Sequence, residues 1–353
     1  MNWNFYAKQA VTIARLEAKK AFFSKRGLWV YLLAFFPAVI FAGHAIEVKY
    51  KQGQWSSQRT VDARVLENLP AKADYDEVRT QLGDPVSERL RKRRNGPERR
   101  WLTYYDGSRQ HVLRFEDGKL VEKSSNRPVS LEEDSQVFAG VFQYFYLRLA
   151  IFFGCLGIFM NLFRGEMLDK TLHFWFLAPA RREVLLVGKY GAGLIASTVI
   201  FGGAAILTFL LMLLPQNSTE LTAYWSGPGP SHLFWYAAAA VLGCVGYGSI
   251  FLAAGLLVRN PMIPAVVILL WEGINGFLPV WMQKLSVLYY VQSLCPFPPP
   301  MEEGVPALLK MLLAPAEPAP WWGAVLGILG VTCLVLYFAA QAVRRLEINY
   351  STE

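Results

Sequence analysis

Long apolar runs dominate this chain, and charge is concentrated in the segments between them. A helix needs roughly 20 predominantly apolar residues to cross a bilayer. By that measure the pattern predicts six spans, at 28–46, 138–163, 184–214, 233–258, 262–283 and 321–343. Residues 47–137 break the pattern. They are polar, with period-two apolar positions and turn pairs, and they predict a small folded α+β domain between the first two spans. The expected fold is a membrane all-α domain of six helices carrying one α+β insert.

Composition agrees with this segregation. Of the 353 residues, 54% are hydrophobic and 18% charged, and the segment 47–137 alone holds 18 of the 35 Lys+Arg and 16 of the 27 Asp+Glu. Mean hydropathy is +0.26. The net charge of +8 does not point to nucleic acid, because outside the insert the bases flank apolar segments, as the positive-inside rule predicts. Lys8, Arg15, Lys19, Lys20, Lys25 and Arg26 precede the first span, and Arg344 and Arg345 follow the last. Both termini are therefore expected in the cytoplasm, with 47–137 outside and the protein in the cytoplasmic (inner) membrane. Segment 164–183 would be cytoplasmic. The Pro-rich stretch 284–320 would be an external loop or re-entrant region, and 344–353 a cytoplasmic tail.

Residues 1–27 mix Trp3, Phe5, Tyr6, Ile13 and Leu16 with bases, the composition of an amphipathic helix in the lipid interface. The alternative is a solvated basic lead-in. Cys155, Cys244, Cys295 and Cys333 have neither disulfide nor metal-ligand spacing and read as packing residues. No cleavable signal peptide is evident.

Within the insert, Tyr75 to Leu82 reads as a short helix closed by Gly83, followed by strands near 86–94, 99–106, 110–116 and 119–123. Asn95-Gly96, Asp106-Gly107 and Asp117-Gly118 mark the turns, and Trp101, Tyr105, Val112 and Phe115 are the expected core face. Helix, Leu-Gly-Asp-Pro and an aromatic meander ending in Phe115-Glu116-Asp117-Gly118-Lys119-Leu120 resemble the SmpA/OmlA (BamE-like) fold of envelope lipoproteins. That resemblance implies a protein-interaction module, for which an envelope protein is the expected partner. No lipobox cysteine accompanies it. Arg91, Lys92, Arg93, Arg94, Arg99 and Arg100 cluster on the first hairpin. They are a candidate docking patch for anionic headgroups or an acidic partner; the alternative is an edge protected by charge.

The most informative segment is 164–189. It contains Gly165-Glu166, Lys170-Thr171-Leu172, Leu177-Ala178-Pro179-Ala180, Arg181-Arg182-Glu183 and Gly188-Lys189. Proline disfavours helical geometry in the residue before it, so a short interfacial helix is expected to stop before Pro179. A second helix would start there and enter the third span. In order and spacing these elements resemble the cytoplasmic loop of ABC-2 type permeases, with Lys170 where that pattern carries Gly. The resemblance implies the transmembrane subunit of an ATP-driven transporter, with export the expected direction. It also implies that Arg164, Gly165, Glu166, Asp169, Lys170, Thr171, Leu172, Pro179, Arg181, Arg182, Glu183 and Lys189 couple the chain to a separate ABC ATP-binding subunit. A second permease copy or a paralogue would complete a dimer. No Walker A sequence occurs, so ATP and Mg belong to the partner, and this chain is expected to be non-catalytic and free of cofactor or metal.

Arg148, Glu272 and Asn275 are polar positions inside apolar spans, where ionisable residues usually face a protein interior or a wet cavity. They are candidate pathway residues; a structural pair or a snorkelling Arg148 accounts for them equally well. Two rival functions fit parts of the sequence. An intramembrane hydrolase would use Gly246-Tyr247-Gly248-Ser249, a run that more often permits close helix packing. A non-transporting envelope scaffold or signalling protein would act through the external domain.

Overall fold

The computed structural model describes residues 3–23, 27–56, 60–70, 72–91, 98–107, 110–126, 130–177, 180–258, 260, 262–275, 278–298 and 317–345. Its helices are α1 (Trp3–Phe23), α2 (Leu28–Ser56), α3 (Ala63–Glu67), α4 (Tyr75–Leu82), α5 (Leu131–Leu168), α6 (Leu172–Leu177), α7 (Arg182–Leu213), α8 (Ser218–Ser226), α9 (Gly229–Leu257), α10 (Met262–Ile274), α11 (Val280–Gln283), α12 (Val287–Ser293) and α13 (Trp321–Arg344). Four strands, β1 (Ser87–Arg91), β2 (Arg99–Tyr105), β3 (Gln110–Glu116) and β4 (Lys119–Asn126), lie between α4 and α5. The chain divides into two compact units.

The first unit is helical. Five helices, α2, α5, α7, α9 and α13, are long and apolar enough to cross a membrane, and the chain is a multi-pass membrane protein. The expected fifth span, 262–283, is not one helix. α10 has 13 residues, about 20 Å at 1.5 Å per residue, short of the ~30 Å hydrocarbon core. It stops where Glu272 and Asn275 interrupt the apolar run, and Pro279 precedes the four-residue α11. A hydropathy window averages across these polar positions; backbone geometry does not.

Close packing follows the glycines, as expected where lipid offers no hydrophobic drive between helices. A Cβ on Gly248 of α9 would lie 2.5 Å from the Phe159 ring of α5, and one on Gly255 would lie 2.9 Å from the Met160 backbone. A Cβ on Gly246 would meet Val287 of α12 at 2.7 Å. α9 is thus the hub against which α5 and α12 settle. α2 contains Pro37, and one turn before it the Ala34 carbonyl accepts the Tyr146 hydroxyl of α5 at 3.0 Å. α5 and α7 each include a π-helical stretch, Val141–Ala150 and Thr198–Gly202.

The second unit spans Ala42–Asp134 with Leu213–Ser218. Its antiparallel sheet runs in the order β1-β2-β3-β4. Asp117 and Gly118 both take positive φ, 47° and 81°, and turn the β3–β4 hairpin in two residues as an Asp-Gly pair favours. The turn expected at Asn95-Gly96 lies outside the described residues. α3 and α4 cover one sheet face, and Leu66, Val78, Leu82, Leu102, Tyr104, Leu113, Phe115 and Leu120 form the core. This corrects the expected core face. Trp101 and Val112 are only half-buried on the opposite face, because Leu102 pairs with Leu113 beneath the helices. With both faces carrying apolar residues, alternation alone did not fix the sign.

Candidate functional site

The expected interfacial helix and the start of the third span surround a buried cluster of charge. α5 ends at Leu168, and the chain reverses through Lys170, whose φ of 53° lies in the left-handed region. The Thr171 amide donates to the Glu166 carbonyl at 2.9 Å and the Asp169 amide to Gly165 at 2.9 Å, closing the helix end. Glycine is the residue best suited to that position, which gives a physical sense to the Gly that the permease pattern carries there. α6 follows and ends at Leu177 as expected. Pro179 lies outside the described residues, and α7 begins at Arg182.

Lys189 of α7 is the centre of the cluster, and its side chain is 0% exposed. Its Nζ donates to the Leu162 carbonyl at 2.8 Å and lies 2.8 Å from Glu166 Oε2, the latter an ion-pair contact rather than an aligned hydrogen bond. Glu17 Oε1 of α1 is 3.6 Å away. Lys20 completes the arrangement at 3.1 Å from Glu17 and 3.6 Å from Glu166. Trp175 of α6 donates its indole N–H to Glu166 Oε1 at 3.1 Å, and the Lys189 ammonium lies 5.3 Å from the Trp175 ring and 5.3 Å from Phe163. Two carboxylates face two ammonium groups, so the buried charge is balanced, as burial demands. Desolvation works against the charge of Lys20, but Glu17 and Glu166 outweigh it and leave its pKa raised.

The backbone explains how such distant residues meet. Ile13 of α1 lies where a Cβ on Gly188 would sit, 2.7 Å away, so Gly188 lets α1 come down on α7 just beside Lys189. Ile13, Glu17 and Lys20 share one face of α1 at helical spacing. α1 is therefore not free on every side. α1 packs on α7, with Phe5, Val11 and Leu16 exposed on its other faces.

The rest of the segment is tied down at its far end. Arg182 donates to the carbonyls of Arg344 at 3.1 Å and Val343 at 3.4 Å, which end α13, and a cation is favourable there. Glu183 pairs with Arg344. The Arg181 guanidinium lies 4.8 Å over the Tyr6 ring. Arg164 is half-buried, whereas Asp169, Lys170 and Thr171 are exposed and Leu172 is buried. Beside them, Leu168, Phe174 (65% exposed) and Leu177 (79%) form an exposed apolar edge. Sequence reasoning placed Glu166 and Lys189 at a partner surface; the structure folds them inward and leaves α6 outward. Glu17 was missed altogether. Its signal was a lone acid, on the Ile13 face, in a helix otherwise rich in bases.

The candidate pathway residues occupy a different place. Glu272 is buried and accepts from the Ser286 hydroxyl. That contact ties α10 to Ser286, the residue that caps α12. Asn275 is buried with its Oδ1 unpartnered among the described residues. Arg148 stacks on Tyr144, 5.3 Å from the ring centroid, with a buried Nε that has no hydrogen-bond partner there. Ser249, the residue of the rival hydrolase reading, donates to Gly246 in its own helix at 2.8 Å.

In the sheet unit, part of the candidate docking patch is neutralised internally. Arg99 pairs with Glu116 at 2.9 Å, and Arg100 with Glu98 at 2.7 Å and Glu88 at 3.7 Å. Arg91 is exposed at the end of β1, and Lys92, Arg93 and Arg94 lie outside the described residues. No group of acids, histidines and cysteines able to hold a metal ion occurs among the described residues. No protein-family model and no curated protein matches this chain.

Proposed function

We propose that this chain is the transmembrane permease subunit of an ATP-driven transporter of the ABC-2 type, most simply an exporter, working with a separate ATP-binding subunit. The observation that carries the reading is the construction of 164–189. A short helix with an exposed apolar edge stands on a buried ion cluster joining α1, α5, α6 and α7. A nucleotide-driven movement in a partner can reach the spans only through a rigid element with different contacts in two states. An apolar edge anchored this way suits a docking element, with Leu168, Phe174 and Leu177 filling a partner's groove and Asp169, Lys170 and Arg181 at its rim. The buried Glu166 and Lys189 would carry the movement inward rather than touch the partner. On this reading both termini and α6 face the cytoplasm of the inner membrane, the sheet unit lies outside, and two permease chains pair around the path.

The test is stoichiometric co-purification. The tagged chain is purified from its native membranes and the eluate assayed for an ATP-binding subunit and for ATP hydrolysis. Phe174→Glu combined with Leu177→Glu should remove both while yield and thermal stability stay unchanged. Wild-type protein purifying without any ATPase, or a variant that retains full ATPase activity, would overturn the assignment.

A further inference from the structure

Strand β1 forms one edge of the sheet, and its five residues, Ser87–Arg91, are all exposed. An edge strand presents unpaired amide and carbonyl groups along its free side. Its charges are distributed unevenly. Glu88 is held within the domain, accepting from the Tyr75 hydroxyl at 3.1 Å and lying 3.7 Å from Arg100. Among the arginines of neighbouring strands, Arg99, Arg100 and Arg114 each have a glutamate partner. Arg89 and Arg91, directly across from Trp101 and Arg99 on the face away from the helices, have no ion-pair partner among the described residues. Leu90 between them is an exposed apolar residue.

We infer that β1 receives an extended acidic segment of a partner protein by strand addition. Main-chain hydrogen bonds would supply the fit, and Arg89 and Arg91 would select carboxylates at alternate positions of the incoming strand. Charge decides the occupant. Seven basic and two acidic residues lie between 87 and 100, so a second copy of this strand would bring like charges into register, which is unfavourable across a strand pair. A lipid surface could satisfy the arginines but not the row of backbone groups. An acidic strand satisfies both.

The inference is tested on the full chain in nanodiscs of zwitterionic lipid. The probe is a labelled ten-residue peptide alternating Glu with Val and Thr, and binding is read by fluorescence anisotropy. Three controls accompany it: the same peptide with Lys for Glu, the same with Pro at two alternate positions, and anionic vesicles of phosphatidylglycerol. The acidic peptide should bind, and the Lys peptide should not. Arg89→Gln with Arg91→Gln should weaken binding about tenfold or more, while Arg89→Lys with Arg91→Lys should retain most of it. The proline peptide keeps the charge but lacks two donors, and should also lose about tenfold. Equal binding of the acidic and proline peptides would overturn strand addition. So would no binding of the acidic peptide, including the case where vesicles bind in an Arg89- and Arg91-dependent way. Because β1 contributes no buried residue, the variants should fold as the wild type does, checked by circular dichroism.

Discussion

Replacing Lys189 by Met tests the buried cluster most sharply. Methionine keeps the length and apolar stem of the side chain but leaves Glu166 and Glu17 facing each other without the ammonium between them. Removing one partner of a buried ion pair costs about 3–5 kcal/mol. Two features set the expectation at the lower end of that range. Lys20 remains at 3.1 Å from Glu17 and 3.6 Å from Glu166 with a side chain 65% exposed, so it can shield part of the uncompensated charge. Glu166 is itself 12% exposed and can gain water. The predicted loss is therefore about 3 kcal/mol. Reversible unfolding of the detergent-solubilised protein by titration with a denaturing surfactant reads it. A double-mutant cycle with Glu166→Gln isolates the pair, and the coupling should exceed ~1 kcal/mol, with the double variant recovering part of the loss. A single-variant loss under ~1 kcal/mol, or additivity within ~0.5 kcal/mol, would refute the idea that these charges act as one unit.

Three further outcomes follow from the same geometry, each read as a change in unfolding free energy. Gly255→Ala should cost about 1–3 kcal/mol, because the new methyl meets the Met160 backbone, which cannot rotate away; Gly203→Ala, with open space around its Cβ, should be neutral or mildly stabilising. Glu272→Ala leaves the buried Ser286 hydroxyl without its acceptor and should cost about 1–3 kcal/mol, while Glu272→Gln, still able to accept, should cost less. Lys170→Gly should be neutral or stabilising by up to ~1 kcal/mol, since it relieves a left-handed residue; a loss greater than ~1 kcal/mol would show that the Lys170 side chain matters to the fold.

How far the chain could be read in advance depended on how local each signal was. Five of the six expected spans, the α4 stop at Gly83, the Asp117-Gly118 turn and the end of α6 at Leu177 are each written in a local stretch of sequence, and these are present. The break in the fifth apolar run was harder, because Glu272 and Asn275 are two polar residues in a strongly apolar stretch. The contact of Glu272 with Ser286, which caps α12, is invisible to such a pattern. The core face of the sheet was read partly wrong at Trp101 and Val112, since both faces of β2 and β3 carry large residues and only α3 and α4 decide which one is covered. The pairing of Glu17 with Lys189 was not legible at all. Each residue looked like an ordinary member of a basic or apolar segment, and their meeting depends on Gly188 admitting Ile13.

The most direct test concerns the outward edge of α6. One accessible cysteine at position 174 (Phe174→Cys, with Cys295 and Cys333 replaced by Ala and the buried Cys155 and Cys244 retained) can be probed with a water-soluble maleimide in purified protein. Labelling should be fast for the permease alone, slow once its ATP-binding subunit is bound, and changed again when a non-hydrolysable ATP analogue is added. Equal labelling in all three states would contradict the account that this helix docks the subunit that drives the spans.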